Sequence, residues 1–474
     1  MRKKELSVVT LFSTEKSFRG WTLATLSSAA VLLSSAAFAQ GDASGSARIS
    51  VGGKLRFESQ SLMAKACTLA VNGEASPISS EDLRTDVQLF QQKIDALRNG
   101  DMALALREPE TGRRVLSALD KVEAAWQPVS ADLASVADGY FVEEALTRIL
   151  VQGKDLVDTT GNLLAILSGA YSNSENFSFG AALAVNIVDR QTVLLEEMSL
   201  HDCVAQSETA GAEESNAALA ESIKVFDASM EALINGQPQV GLMEPPTDGV
   251  RNSLGKAQDV WSELKPMVAA GESTSAAAGE LRVSLQRELN NARLLYLLAT
   301  SKQPDLYRIP LEAYANDQLA RWLLEPQIVI SLREQNTAHK ELSQEAVDEM
   351  DLAWRADAEG DASGIVAEMM ARPLSELLKR YQLAANGIVT EVFIMDDKGL
   401  NVAQSAVTSD LWQGDEAKWQ ETYASEGLDY HFSDVEFDDS TGFYQVQVSM
   451  PIADPVTQEK LGAVTFGVNI QSLL

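Results

Sequence analysis

The stretch LRTDVQLFQQKIDALRNG, residues 83–100, recurs in outline as LAESIKVFDASMEALING, residues 219–236. In both stretches apolar residues follow one another at spacings of 4, 3, 4 and 3, which places them on one face of a helix. They are Leu83, Val87, Phe90, Ile94 and Leu97 in the first, and Leu219, Ile223, Phe226, Met230 and Leu233 in the second. Both stretches end in Asn-Gly, a common helix stop. Each is therefore predicted to be an amphipathic helix packed on a core.

The agreement extends beyond these helices. Further residues match at an offset of 135 or 136: Glu108 with Glu244, Trp126 with Trp261, and Cys67 with Cys203. A shared apolar stripe alone is common in helical proteins, but several residue types in register indicate an internal repeat. We predict two related helical-bundle modules, at residues 45–150 and 175–295.

The last third of the chain changes from helical to strand patterns. Residues 388–395 are β-branched or apolar except for Glu391, and the turn Asp396-Asp397-Lys398-Gly399 leads into a second apolar run. Further on, Tyr444, Val446, Val448 and Met450 alternate with polar residues, which predicts a half-buried strand. The predicted class is α+β multidomain: two helical modules, then a helix-plus-antiparallel-sheet domain at 305–474.

Composition excludes several functions. The chain of 474 residues has 68 acidic and 38 basic residues, a net charge of −30, which argues against nucleic acid or anionic lipid as a main partner. No nucleophile elbow, phosphate loop, zinc-protease or dinucleotide fingerprint occurs in the sequence. We therefore expect no enzymatic activity and no cofactor.

The N-terminus predicts export. Basic residues precede an apolar run from Trp21 that ends in Ala37-Phe38-Ala39, a small-x-small cleavage signal. Residues 1–39 are predicted to be a signal peptide and the protein to be periplasmic; an uncleaved membrane anchor is the alternative. Because the periplasm permits disulfides, Cys67 and Cys203 could be bonded, or they could be two buried thiols.

The segment Gly53-Lys54-Leu55-Arg56-Phe57-Glu58-Ser59-Gln60 resembles the opening helix of the PilJ-type sensory domain of type IV pilus chemotaxis transducers, and of nitrate-sensor kinases. The resemblance implies that Arg56 contacts an anion; a surface arginine paired with Glu58 is the alternative. The second module has Arg190-Gln191 but Thr192 at the position of Arg56, which departs from the pattern.

The C-terminal third resembles the PDC/Cache class of PAS-like extracytoplasmic sensor domains, through Glu391-Val392-Phe393-Ile394-Met395-Asp396 with Gly399, and through residues 409–416, 449–454 and 462–464. Apart from that resemblance, aromatic and charged residues here suggest a small-ligand pocket. Its candidate members are Trp412, Trp419 and Tyr444, with Tyr423 beside them and Asp415 and Lys418 fixing charged ends of the ligand. A purely structural tryptophan cluster is the alternative.

Together these features predict a periplasmic ligand-sensing protein of the chemotaxis or signal-transduction type. The expected ligand is an anion, a carboxylate or an amino acid. The sequence given ends at Leu474 without a recognisable output domain, so we expect it to act through a membrane-bound receptor or kinase, and a dimer is compatible with this. The alternative is a structural or adhesion-related envelope protein whose sensor-like domains hold no ligand.

Overall fold

A computed structural model describes residues 44–140, 142–172, 178–206, 212–302, 306–438 and 441–474. The predicted signal peptide, residues 1–39, lies outside these ranges. The chain divides into two compact units. A helical unit contains the described residues up to Gly100 and those from Glu108 to Leu306, and a C-terminal unit contains Asp101–Arg107 and Tyr307–Leu474. The expected α+β class, with helices first and an antiparallel sheet in the last third, is confirmed.

The helical unit consists of two groups of four long helices. The first group is α1 (Gly45–Asn72), α2 (Ser80–Asn99), α3 (Arg113–Ala137) and α4 (Val142–Tyr171). The second is α5 (Phe179–Gln206), α6 (Ala212–Asn235), α7 (Asp248–Ala269) and α8 (Ala276–Thr300). Within the groups, α1 and α3 pack on α4, and α5 and α7 pack on α8. The groups meet where α1 packs along α5.

The apolar stripes form the cores of the two groups. Phe90 and Phe226 are both fully buried. Each lies against a tryptophan, with ring centroids 4.2 Å apart for Phe90 and Trp126 and 4.3 Å apart for Phe226 and Trp261. α2 begins at a capping box, in which the side chains and backbones of Ser79 and Asp82 bond reciprocally. The local pattern therefore sets both where this helix begins and which face it buries.

The C-terminal unit begins with helices. They are α9 (Arg308–Tyr314), a π-helical turn (Ala315–Leu319), α10 (Ala320–Trp322), α11 (Pro326–Ala338), α12 (Gln344–Ala358), α13 (Ile365–Met370), α14 (Pro373–Ala384) and, after two strands, α15 (Ala417–Gln420). Pro326 and Pro373 stand in the first turn of their helices, where a missing N–H breaks no helical hydrogen bond.

One antiparallel sheet completes this unit. Its strands are β1 (Val389–Met395), β2 (Asn401–Gln404), β3 (His431–Phe432), β4 (Glu436–Asp438), β5 (Phe443–Ala453) and β6 (Lys460–Asn469). The order is β2-β1-β6-β5-β3, and β4 also pairs with β5. α14 packs on β1 and β2, and α11 packs on β6. Phe466 of β6 faces Trp322 at 5.6 Å between ring centroids, which defines the helix-covered face of the sheet.

The opposite face of the sheet differs from the sequence expectation. The alternation along β5 predicts a strand with its polar side in solvent, but Gln445 is 4% exposed and Ser449 is fully buried. Ser449 bonds Thr465 of β6, oxygen to oxygen at 2.9 Å. α15 packs against β5, and the Gln445 side chain hydrogen-bonds Glu391 and Asp438. The expectation of a half-buried strand is therefore wrong for this part of the sheet.

Among the described residues, no helix combines the length and apolarity that a membrane span requires.

Candidate functional site

Arg56 belongs to α1, which packs along α5, and two charged residues of α5 affect its pKa. Burial and the neighbouring Arg190 guanidinium lower the pKa of Arg56, and Asp189 opposes them. Burial also lowers the pKa of Arg190, which Glu197 partly offsets. Like charges are costly to hold together away from bulk water. The two helical groups thus bring two arginines together at their shared face.

Further charged side chains from four helices surround this pair. We define the inter-module charged cluster by Lys54, Arg56 and Glu58 of α1, Lys93 of α2, Asp189, Arg190 and Glu197 of α5, and Arg293 of α8. Two ion pairs lie within it. Lys93 Nζ is 2.8 Å from Glu58 Oε1, and Arg293 Nε is 2.9 Å from Asp189 Oδ1. Basic members outnumber acidic ones, although the whole chain is strongly acidic.

Two carboxylates of the cluster are partly buried and partly accessible to water. The Asp189 side chain keeps 41% of its surface exposed, while burial raises its pKa. Glu58 behaves similarly, with 28% of its side chain exposed and a pKa that burial raises. Both carboxylates are therefore partly buried, and water still reaches them.

Electrostatics at the inter-module charged cluster favour a negatively charged solute. Burial lowers the pKa of Lys54 to about 8, with Lys93 and Arg293 adding to the effect and Glu58 opposing it. An anion placed here would interact with several partly desolvated cations at once, in surroundings where charge pairs are stronger than in water. The guanidinium groups also offer planar forks that match carboxylate or nitrate oxygens.

A disulfide ties the same two helices together. Cys67 of α1 and Cys203 of α5 are bonded, with Cα atoms 6.1 Å apart. Both residues are buried. The bond lies about three helical turns beyond Arg56 along α1. It therefore restricts sliding of α1 against α5 near the charged cluster.

Lys418, Trp419 and Tyr423 come together over the polar face of the sheet. Trp419 and Tyr423 have ring centroids 5.2 Å apart and pack on the cluster formed by Phe393, Met395 and Ala463. Lys418 Nζ lies 5.3 Å from the centre of the Phe393 ring. It also bonds Gln413 Oε1 at 2.9 Å and pairs with Glu416 at 2.9 Å.

The other three predicted pocket residues lie elsewhere. Trp412 belongs to a separate apolar cluster with Trp354, and its indole N–H donates to the Lys398 carbonyl at 2.8 Å. Asp415 is exposed to solvent. Tyr444 alternates with Gln445 along β5, so it lies on the opposite face of the sheet, with its ring 5.1 Å from that of Phe437. The structure thus does not gather all of the predicted residues into one pocket.

The sequence did not single out Glu391 or Gln445 as functional. Burial and then Asp438 raise the pKa of Glu391, and Lys418 opposes them. Gln445 Nε2 donates to Asp438 Oδ2 at 2.6 Å and to Glu391 Oε1 at 3.3 Å. The available signal was the polar side of β5, which the sequence pattern alone predicts to face solvent. Asp189 and Arg293 were also missed, because nothing local marks a charge that another helix will cover.

Comparisons with known proteins support a sensory family for part of the chain. The family model described as the N-terminal region of type IV pili methyl-accepting chemotaxis transducers, PilJ, matches residues 38–145 and 203–283. The matched segments make up less than half of the chain. No curated protein matches the chain significantly.

A solved structure, the sensor domain of the histidine kinase DctB from V. cholerae, aligns over 33% of this chain and 59% of that chain. The identity is 13% and the TM-score is 0.17, so the alignment carries no argument about fold or function.

Proposed function

We propose that this protein is a non-enzymatic sensory protein that binds a small anionic ligand in the inter-module charged cluster. The observation that carries the proposal is that α1 packs along α5 and that charged side chains of both helices interact there, with burial and Arg190 lowering the pKa of Arg56. The PilJ family match to the helical region supports a signal-transduction role. The resemblance of residues 53–60 to anion-sensing domains supports the assignment of Arg56.

The two helical groups are, in this proposal, two copies of one module. The loops after α2 and α6 support it, because each closes with an isolated bridge, Asp101 to Leu106 and Gln237 to Leu242. Each loop also has a left-handed residue at the same position, Ala105 with φ 57° and Gly241 with φ 85°. The family model matches a segment of each predicted module. One chain would then supply both halves of a site that lies between copies.

Signalling would follow from a shift in population between two arrangements of α1 and α5. A ligand that bridges Arg56 and Arg190 binds the arrangement in which both reach it, and so stabilises that arrangement. The protein would be periplasmic after removal of residues 1–39, and its partner a membrane-bound receptor or kinase. The disulfide supports an oxidising compartment, because such bonds are rare in reducing ones.

The C-terminal unit is proposed to be a PDC/Cache-like sensor domain with a second candidate site on the polar face of its sheet. Lys418, Trp419 and Glu391 would line that site. Charged side chains close to this face support a ligand role, since Lys418 Nζ lies 5.3 Å from the centre of the Phe393 ring and Glu391 Oε1 lies 3.3 Å from Gln445 Nε2. Trp412 and Tyr444 would support the domain from outside this site. An envelope protein of structural or adhesion type, with ligand-free domains, remains the alternative.

Isothermal titration of residues 40–474 against nitrate, nitrite and small carboxylates tests the proposal. We expect at least one anion to bind, and Arg56→Ala to weaken that binding at least tenfold. Arg251→Ala is the matched control, because Arg251 is half-exposed and forms an ion pair with its helix neighbour Asp248 at 2.9 Å, away from the charged cluster. Binding that is unchanged in Arg56→Ala, with the variant folded, would refute a site at this cluster. Binding lost only in Trp419→Ala would move the site to the sheet.

A further inference from the structure

The loop between α2 and α3 has a tip that belongs to the C-terminal unit. Residues Asp101–Arg107 group with that unit, although α2 and α3 on either side are part of the helical unit. Within the C-terminal unit, a 3-10 turn of this loop, Met102–Leu104, packs on the π-helical turn Ala315–Leu319. Arg107 Nε forms an ion pair with Asp317 Oδ2 at 2.5 Å. π-helical turns are rare and frequently occur at functional sites.

Arg48 of α1 holds the base of this loop from within the helical unit. Its Nη1 donates to the Leu97 carbonyl at 3.1 Å, and its Nη2 donates to the Glu108 carbonyl at 2.5 Å. Leu97 lies in the last turn of α2, where carbonyl groups lack a partner within the helix. One guanidinium therefore joins the end of α2 to the far end of the loop.

A buried ion pair holds the Arg48 guanidinium in turn. Arg48 Nη1 lies 3.4 Å from Glu110 Oε2, and both side chains are almost completely buried. The Glu110 carboxylate also accepts from the Tyr171 hydroxyl at 2.7 Å and from the backbone N–H of Gly112 at 2.6 Å. The members of a buried charged network depend on one another, so the loss of one member disturbs the others.

Backbone hydrogen bonds close the loop at two levels. At the tip, Asp101 N donates to the Leu106 carbonyl at 2.8 Å, and Leu106 N donates to the Asp101 carbonyl at 2.9 Å. Nearer the base, Glu110 N donates to the Arg98 carbonyl at 2.9 Å. Hydrogen-bond networks and rigid elements carry energetic coupling between distant parts of a protein. A loop that is closed in this way transmits a displacement of its base to its tip.

The corresponding loop of the second helical group differs at the clamp. The loop between α6 and α7 has the same kind of backbone bridge, from Gln237 to Leu242, but it belongs to the helical unit. Under the proposed repeat, the offset of 136 places Ala184 at the position of Arg48, and a methyl side chain donates no hydrogen bond. The arginine therefore accompanies the loop whose tip belongs to the other unit.

We propose that Arg48 and the loop 98–110 couple the helical unit to the C-terminal unit through the chain, so that a displacement of α1 changes the order of the π-helical turn Ala315–Leu319. Arg48 is a positioning residue in this device, because it acts through the loop that it clamps. The inference goes beyond the proposed anion sensing. It assigns the route by which a movement of α1 reaches the other unit, and that route needs no ligand to be tested.

Hydrogen–deuterium exchange with mass spectrometry on unliganded residues 40–474 tests the proposal. Arg48→Met removes the clamp and should speed exchange at Ala315–Leu319 by about fivefold or more. Arg107→Gln removes the ion pair to Asp317 and should have a similar effect there. The matched control is Phe226→Leu, which loosens the core of the second helical group and should change exchange at Ala315–Leu319 by less than about twofold.

The double variant decides whether the effect passes through the loop. If it does, Arg48→Met should add less than about twofold in the Arg107→Gln background, since residues that act through one connection are not additive. Two independent effects that multiply would overturn the proposal. Faster exchange in the loop of Arg48→Met, with exchange at Ala315–Leu319 unchanged, would also overturn it.

Arg107→Gln tests the same coupling in the reverse direction if Arg48→Met does not fold. Because coupling is reciprocal, Arg107→Gln should also speed exchange in the first turns of α1 around Arg48. Unchanged exchange there would refute the coupling. These measurements use no ligand, so their outcome is independent of the anion titrations that test the proposed function.

Discussion

Removing the disulfide between Cys67 and Cys203 should destabilise the helical unit by about 5 kcal/mol. The cross-link joins residues 136 apart in sequence. Closing a loop of that size removes about 17 cal/mol/K of chain entropy from the unfolded state, which is about 5 kcal/mol at 25 °C. Both cysteines are buried, so the folded protein protects the bond and reduction proceeds through unfolding.

The assay is equilibrium unfolding in urea, followed by far-ultraviolet circular dichroism, on the wild type and on Cys67→Ala/Cys203→Ala. The transition of the helical unit should move to lower urea in the double variant. Reductant should move the wild-type transition in the same direction and leave the variant unchanged. Alanine is used because a serine hydroxyl would be buried without an assured partner. If the two proteins differ by less than 1 kcal/mol without reductant, the loop-entropy argument fails for this fold.

Three further perturbations test the packing and the charges. Phe90→Ala and Phe226→Ala should each lower the free energy of unfolding in urea by about 3–5 kcal/mol, because both rings are fully buried against a tryptophan. A loss below about 1 kcal/mol for either variant would contradict the equivalent packing. Burial lowers the pKa of Lys54 to about 8 in the folded protein, below its value in the unfolded chain. The wild type should therefore gain stability relative to Lys54→Met as the pH rises from about 8 to about 10.5. Parallel stability–pH curves for the two proteins would contradict this prediction. Asp396→Ala should destabilise the C-terminal unit by about 3 kcal/mol in thermal unfolding, because this fully buried carboxylate accepts from two backbone N–H groups at 2.9 Å; an unchanged melting temperature would exclude that role.

Residues that depend on local pattern were predictable. The stripe through Phe90 buries the face that its spacing predicts, and α2 ends at the expected Asn-Gly, where Gly100 has φ 82°. The hairpin around Asp396-Asp397-Lys398-Gly399 also forms where it was predicted, with β1 and β2 antiparallel. Helix period, capping and turn chemistry are set within a few residues, so a single sequence contains them.

Residues whose role depends on distant partners were not predictable. Trp412 and Trp419 are seven residues apart, yet their indoles pack in different apolar clusters. Gln445 reads as a surface residue, yet it is 4% exposed and hydrogen-bonds Glu391 of a strand that lies far from it in the chain. Nothing in the sequence near either residue encodes which element will pack there.

The amino-acid sequence by itself determined the class of the fold, the repeated helical pattern and the suggestion that Arg56 meets an anion. Only the tertiary structure decided that α1 packs along α5, that Asp189 pairs with Arg293, and that Cys67 bonds Cys203. The physical reason is the range of the interactions. Hydrophobic periodicity is set within one or two helical turns. The electrostatic field at the charged cluster is the sum of charges on four helices, from Lys54 to Arg293, and only the packing of those helices brings the charges close together.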